Sequence, residues 1–388
     1  MRICQISHAS FSSVNGHAMV VDQLGRQYAR MKHETLLLRR NSNEPVLKIF
    51  TDAPYPVTEF GASRFDWLER RKLRRALQQT HEKTPFDIVH CHSVYPMGFA
   101  VKNWCKESGV PLVLTTQGGD ISRQSRYRRR SGIMAKIRET LLDADAVVSI
   151  SPFTKQQQLE LAPECESHLV EISNGVDFSG CANPVNLPEN RFGEWKENPF
   201  ILFLGRLHGR KGVSFLINAF QQIAKDVPNA QLVIAGDGDQ ANALKSQAKE
   251  TGFGGRIHFV GAVFDAEKLW LLRNAFCVVI PTITWEGLPL VALEAMSCGQ
   301  WVIGTEVGGI VGLIEPGIDG FLVPPSNATA LANALRVPFE NPTSRAAIGS
   351  AAKEKARTHD WPVIADKYVE LFSRLIASKR TGAPPKLS

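Results

Sequence analysis

The chain reads as an α/β protein built from two doubly wound, Rossmann-like domains facing across a cleft. Three observations predict this. Its 388 residues exceed what one hydrophobic core usually holds. Short apolar runs of strand length alternate with helix-length segments, the rhythm of a parallel sheet with crossover helices. That rhythm breaks at the Pro/Asn-rich stretch CANPVNLPENR (Cys181 to Arg191) and then starts again. The expected division is residues 1–182, residues 183–360, an amphipathic helix over 361–378 and a disordered tail over 379–388.

In order, MRICQISH predicts the first strand, the loop ASFSSVNGH follows, and a helix runs from Ala18 to Met31. Strand, glycine-containing loop and helix form a phosphate-binding opening, but Gly16 is the loop's one glycine and no GxGxxG or P-loop pattern is present. TLLLRR is a second strand, and an Arg/Leu-rich helix spans Ser63 to Thr80. FDIVHCH (Phe86 to His92) ends at the carboxyl edge of the sheet, where ligands of open α/β sheets bind, so His92 is placed to meet substrate. A structural histidine bonded to a backbone carbonyl would account for it equally. After a helix over Gly98 to Ser108, PLVLTTQGGDI supplies another strand and a loop with Gln117 and Asp120 at the same edge. A helix to Leu142 and the strands AVVSIS and HLVEIS precede the turn NGVDF (Asn174 to Phe178).

The second series opens at FILFLGRL (Phe200 to Leu207), then a helix over Val213 to Val227, the strand QLVIAG, the loop DGDQ, a helix, the strand IHFVG and a helix over Ala266 to Asn274. AFCVVIP (Ala275 to Pro281) reads as a buried strand, and Pro289 to Cys298 as a helix opening with proline. WVIGTEVGG and DGFLVPP complete this half, giving five or six strands in each.

Composition narrows the function classes. No apolar run approaches a membrane span, and MRICQISHAS lacks the core of a secretory leader, so a cytoplasmic location is expected. Seven cysteines without a CxxC pair predict reduced thiols rather than a disulfide framework or a zinc site, with Cys4, Cys91 and Cys277 as small core residues. The net charge of +7 resides mainly in the first half, in RRKLRR (Arg70 to Arg75) and SRQSRYRRR (Ser122 to Arg130). These clusters suit anionic lipid, a nucleic acid or an anionic glycan, or form a solvated face.

The chemistry concentrates in WEGLPLVALE (Trp285 to Glu294), where Glu286 and Glu294 flank a turn into a helix. Free N–H groups near Leu288 and Leu290 would face an anion. For an isolated pair, a capping Glu286 and a solvated Glu294 would serve as well. Arg206 and Lys211, on the glycine-rich loop of LGRLHGRKG, form a diphosphate grip. Taken with the two glutamates, they describe a nucleoside-diphosphate site.

GRLHGRKG, AGDGD, FVGAV, WEGLPLVALEAMSCG, VGGI and DGFLVPP resemble, in order and almost continuously from Phe200 to Pro325, the retaining glycosyltransferases of family 4 with the GT-B fold. NGH, DIVHCH, TTQGGDI and NGVD resemble its first domain, and HDW with its helix resembles the helix that crosses back to that domain. The resemblance implies sugar transfer from a nucleotide-sugar donor to an acceptor hydroxyl with retention, without a metal ion or other cofactor. It implies that Arg206 and Lys211 neutralise the diphosphate and that Glu294 binds the ribose hydroxyls. Glu286 would bind the donor sugar, Gly16 the distal phosphate, and the base would rest near Gly261 to Val263. His92, Gln117 and Asp120 fall on the acceptor side. The chain departs from the family pattern at Gln117, in place of a histidine, at Asn15 before Gly16, in place of glycine, and at Gly312, in place of a glutamate. The resemblance also implies a role in cell-surface polysaccharide or lipopolysaccharide assembly, with a glycan or lipid-linked acceptor and the basic clusters at the inner face of the membrane.

Other classes fit less well. A nucleotide-sugar epimerase of the same fold would place acid and base groups on the sugar, against the paired-glutamate spacing. A dehydrogenase lacks its GxGxxG opening. A basic protein that binds nucleic acid or a membrane surface would explain the arginine clusters and leave Arg206, Lys211 and the glutamates without a role.

Overall fold

The computed structural model describes the chain except for residues 13–14, 42–43, 64–65, 126, 183–184, 186–191 and 383–388. Most of the Cys181 to Arg191 stretch, Arg126 of the second basic cluster and the end of the expected tail therefore lie outside the described residues. The chain divides into two compact units, Met1–Asn174 with Trp361–Ser388, and Gly175–Asp360.

The first unit contains β1 (Arg2–Ser7), α1 (Gly16–Arg30), β2 (Glu34–Arg40), β3 (Val57–Phe60), α2 (Asp66–Lys83), β4 (Ile88–Cys91), α3 (Phe99–Ser108), β5 (Leu112–Thr116), α4 (Ser131–Asp143), β6 (Ala146–Ser149), α5 (Pro152–Leu161) and β7 (Leu169–Glu171). Its parallel sheet runs β3-β2-β1-β4-β5-β6-β7. Seven strands exceed the expected five or six. The extra strand, β3, is a short edge strand whose VTEF pattern buries one of its four residues, Phe60, so no apolar run marks it. Helix α5 also carries no clear apolar period. It starts because Ser151 and Thr154 form a reciprocal capping box and Pro152 occupies the first turn.

The second unit contains β8 (Phe200–Leu204), α6 (Val213–Ile223), β9 (Gln231–Ala235), α7 (Ala241–Glu250), β10 (Ile257–Gly261), α8 (Asp265–Asn274), β11 (Cys277–Ile280), α9 (Leu290–Ser297), β12 (Val302–Thr305), β13 (Phe321–Val323), α10 (Ala328–Glu340) and α11 (Pro342–Arg357). Its parallel sheet runs β10-β9-β8-β11-β12-β13. The central strands are apolar throughout, as FILFL and CVVI show, because helices cover both faces. Ile201, Phe203, Phe220, Ile234, Val279 and Trp301 share one core.

Helix α12 (Trp361–Thr381) belongs to the first unit, where its Tyr368 and Phe372 are buried against Tyr28 and His90. It continues to Thr381, past the expected end at residue 378. Among the described residues no helix is long and apolar enough to cross a membrane.

Both sheets reverse their winding once, between β1 and β4 and between β8 and β11. Loops leaving the carboxyl ends of those strands diverge there and open a crevice, which is where each unit assembles its polar side chains.

Candidate functional site

In the second unit the site is built from three loops, those after β8, β11 and β12. Gly212 ends the first of them at φ +68°, and a Cβ there would fall 1.9 Å from the Pro281 carbonyl oxygen. Only glycine lets the two backbones approach this closely. The Ile283 N–H donates to the Arg210 carbonyl at 2.9 Å across the same junction. Gly308, at φ +68° after β12, comes equally close to Glu286, since a Cβ would lie 2.3 Å from the Glu286 carbonyl oxygen. Gly309 donates its N–H to that oxygen at 2.8 Å. The backbone of Glu286 is thus clasped from one side before its side chain makes any contact.

The Glu286 carboxylate is held at both oxygens. Oε1 accepts from Lys211 Nζ at 2.5 Å and Oε2 from Thr282 Oγ1 at 3.0 Å. Both members of the pair keep about a fifth of their side-chain surface exposed, 19% for Lys211 and 22% for Glu286. They remain open to a ligand while being fixed in place. Glu286 therefore does not act as the cap of α9, whose N-cap is Pro289, with no side-chain hydrogen bond. The N–H groups of Leu288 and Leu290 have no acceptor among the described residues, leaving bare donors beside the two glutamates.

Glu294 lies in α9, and its Oε1 accepts from Lys268 Nζ of α8 at 2.8 Å. Burial alone would lower the Lys268 pKa, yet the acidic groups around it, Glu294 foremost, together hold the ammonium above its ordinary value. Arg206 is exposed and makes no ion pair among the described residues. Arg210 stacks over Trp285 with its guanidinium carbon 5.0 Å from the ring centroid, fixing the rim. Val263 is half-buried in the loop after β10. In the second unit Lys211 and Glu286 are in contact, Leu288 and Leu290 lie on the turn into the helix that carries Glu294, and Arg206 lies on the loop that carries Lys211. The two acids are neutralised by lysines, and one arginine is free for an anion. Sequence reading missed Lys268, Thr282 and the Gly308 clasp. Lys268 sits on a helical turn with no local signal, and only the packing of α8 beside α9 brings it to Glu294.

In the first unit, Asn15 is the N-cap of α1, its Oδ1 accepting from Ala18 N at 2.9 Å, which explains asparagine before Gly16. Gly16 is exposed at the helix start. Four histidines gather behind it. His8 and His17 meet edge to face at 5.5 Å, His17 lies 6.4 Å from His92, and His92 lies 4.1 Å from His90. His92 is fully buried and bonds through Nε2 to Gln5 Oε1 at 3.0 Å, a side-chain partner rather than a backbone carbonyl. His90 bonds to Thr115 Oγ1 at 2.8 Å, which lies 3.1 Å from Tyr368 Oη. Burial pushes His90 down to about 3 and holds His17 and His92 well below the ordinary histidine value. All three are neutral.

Gln117 pairs with Asn174, whose Nδ2 donates to Gln117 Oε1 at 3.1 Å. Asp120 is buried, and its Oδ2 accepts the N–H groups of Val94 and Tyr95 at 2.6 and 3.4 Å. Its carboxylate shapes the turn after β4. Of the basic clusters, Arg70, Arg71, Arg74 and Arg75 line a groove beside Trp67, which is 58% exposed. In the second cluster, Arg123 and Arg128 are tied to Glu160, so that part is spent on internal pairing.

Residues 14–179 match the family model described as Glycosyltransferase Family 4, and residues 188–355 match the one described as Glycosyl transferases group 1. The chain is 28% identical to the phosphatidyl-myo-inositol mannosyltransferase of Mycobacterium leprae, over 76% of this chain and 75% of that protein. It is 26% identical to the one from Mycolicibacterium smegmatis, over 96% of this chain and 93% of the relative. Among solved structures, Anabaena HepE in complex with UDP superposes with a TM-score of 0.81 at 21% identity, over 96% of this chain and 100% of that one. The sucrose-phosphate synthase of Thermosynechococcus elongatus does so with a TM-score of 0.81 at 24% identity, over 97% and 99%. The two Rossmann-like domains are those of the GT-B fold, and the chain belongs to glycosyltransferase family 4.

Proposed function

We propose that this glycosyltransferase moves a sugar from a nucleoside-diphosphate sugar to a hydroxyl of a glycan or lipid-linked acceptor, with retention at the transferred carbon, in cell-surface glycan assembly. The observation that carries the reading is the pairing of Lys211 with Glu286 beside the free N–H groups of Leu288 and Leu290. A diphosphate entering here meets the exposed Arg206, the lysine and the start of α9. Glu286, clasped through its backbone, then faces the sugar beyond the phosphates. Glu294 offers its second oxygen to the ribose hydroxyls, and Val263 borders the base.

Retention requires the acceptor to attack from the face the diphosphate leaves. The bond from the sugar carbon to the phosphate oxygen breaks, the bond to the acceptor oxygen forms, and the acceptor proton passes to the departing diphosphate. Negative charge grows on that leaving group, and Arg206, Lys211 and the α9 N–H groups meet it from fixed positions. In this reading those groups supply what a metal ion would otherwise supply. His92, Gln117 and Asp120 frame the acceptor side, His92 and Asp120 from beneath the surface.

The mycobacterial relatives are phosphatidylinositol mannosyltransferases and the Anabaena structure holds UDP, which supports a nucleotide-sugar donor and a lipid-borne acceptor. The Trp67 and Arg70–Arg75 face of α2 would rest on anionic lipid at the inner membrane surface. Vesicle binding that falls as salt rises supports that contact, and no binding at any salt overturns it.

Calorimetry with UDP, GDP, ADP and their sugars tests the donor site. One nucleotide is expected to bind, with at least tenfold loss in Glu294→Ala. No binding at millimolar concentration, or equal binding by wild type and variant, refutes it.

A further inference from the structure

Five of the seven cysteines, Cys4, Cys91, Cys105, Cys165 and Cys277, are buried, and burial pushes each thiol up. The other two, Cys181 and Cys298, are half-buried, and their thiols are hydrogen-bonded to each other. Cys181 Sγ also lies 2.7 Å from Ser297 Oγ. The pair is asymmetric. The S–H of Cys298 holds Cys181 below the ordinary thiol value, and the same bond pushes Cys298 up. Lys268, paired with Glu294, is close enough for Cys181 to favour its ammonium form. One thiol prepared as a nucleophile and a second thiol against it are what disulfide exchange requires.

We propose that Cys181 and Cys298 form a reversible thiol–disulfide site that controls how α9 presents Glu294 to the donor. The proposal rests on the reading of Glu294 as the ribose ligand. The connection is short. Ser297 Oγ donates to the Glu294 carbonyl at 2.7 Å while contacting Cys181, and the Cys298 N–H reaches the same carbonyl at 3.3 Å. Closing a sulfur–sulfur bond of about 2.05 Å draws the end of α9 toward the turn at Gly180–Ala182 and takes Cys181 Sγ off Ser297. The turn carrying Glu294 shifts with it.

The exchange balances with a small-molecule disulfide such as oxidised glutathione. The Cys181 thiolate attacks one glutathione sulfur and expels the other as thiolate, leaving a mixed disulfide. Cys298 loses its proton to solvent and attacks Cys181 Sγ, releasing the second glutathione. Two protein thiols are oxidised and one disulfide is reduced to two thiols.

The test treats the full chain with oxidised glutathione, maps disulfides by peptide mass spectrometry, and titrates the nucleotide that the reduced protein binds. A Cys181–Cys298 linked peptide is expected, with binding weakened roughly five- to tenfold, about one lost hydrogen bond, and restored by dithiothreitol. Cys181→Ser and Cys298→Ser are each expected to bind as reduced wild type does and to ignore the oxidant. Absence of the linked peptide overturns the proposal, as does a linked protein whose affinity is unchanged. If reduced wild type and Glu294→Ala bind equally, the donor-site reading fails, while the peptide map still decides whether the two thiols exchange.

Discussion

Lowering the pH from 7 to 5 is expected to destabilise the first unit through His90. The ring is fully buried, and it contacts Thr115, Tyr28, His92, Tyr368 and Phe372, none of which is anionic at neutral pH. Burial lowers its pKa from 6.5 to about 3. Above the unfolded value near 6.5, the ring is neutral in both states and costs nothing. As the pH falls from there toward 3, the unfolded chain takes up a proton that the native unit refuses, and stability drops by about 1.4 kcal/mol per pH unit. At pH 5 the loss from His90 alone is about 2 kcal/mol. His17 and His92 are shifted in the same direction, so the wild type loses more than this. Urea unfolding at pH 7, 6 and 5 measures the loss, with each unit's transition fitted separately if two appear. His90→Gln keeps a hydrogen-bonding side chain that does not titrate in this range. It is expected to start less stable at pH 7 but to lose about 2 kcal/mol less between pH 7 and pH 5. If wild type and variant lose the same amount within about 0.5 kcal/mol, burial of His90 is not what makes the unit acid-sensitive.

Three further outcomes are expected. Lys211→Ala removes a fixed cation from the leaving group and is expected to lower kcat by about 10²- to 10³-fold, with a smaller change in KM and partial recovery in Lys211→Arg; a fall under about tenfold in steady-state assays refutes the role. Gly308→Ala forces a left-handed backbone that costs about 1–2 kcal/mol and drives a methyl group into Glu286, so thermal unfolding and kcat/KM are both expected to fall, and an unchanged kcat/KM would show that the clasp is dispensable. Asp120→Ala orphans the Val94 and Tyr95 N–H groups at about 1–3 kcal/mol each; chemical denaturation is expected to show that loss while the nucleoside diphosphate binds as before, and a weakened diphosphate would mean that Asp120 acts beyond its turn.

Much of the architecture was legible before any coordinates. The apolar runs FILFL and CVVI and the loop GRLHGRKG announce strand and phosphate-type loop through neighbouring residues alone, because side-chain alternation, turn chemistry and glycine placement are local. The paired glutamates were legible for the same reason. Strand β3 and helix α5 were missed because one is held by its place on the sheet edge and the other by its cap, and neither carries an apolar period. His92 was legible by position and not by environment. Its place after β4 follows from the strand, but its burial depends on what packs around it.

The amino-acid order by itself determined two βα series, the placement of Arg206, Lys211 and Glu286 on loops and of Glu294 in the following helix, and a resemblance to a sugar-transferring family. The first two depend on residues within a few positions of one another, and the resemblance on short local motifs in a fixed order. Tertiary structure alone decided that Lys268 answers Glu294, that Gly308 clasps Glu286, that three histidines are kept neutral, and that Cys181 meets Cys298. Those pairs come from separate elements, and only the packing of helices on each sheet sets the distance and the burial that give them their chemistry.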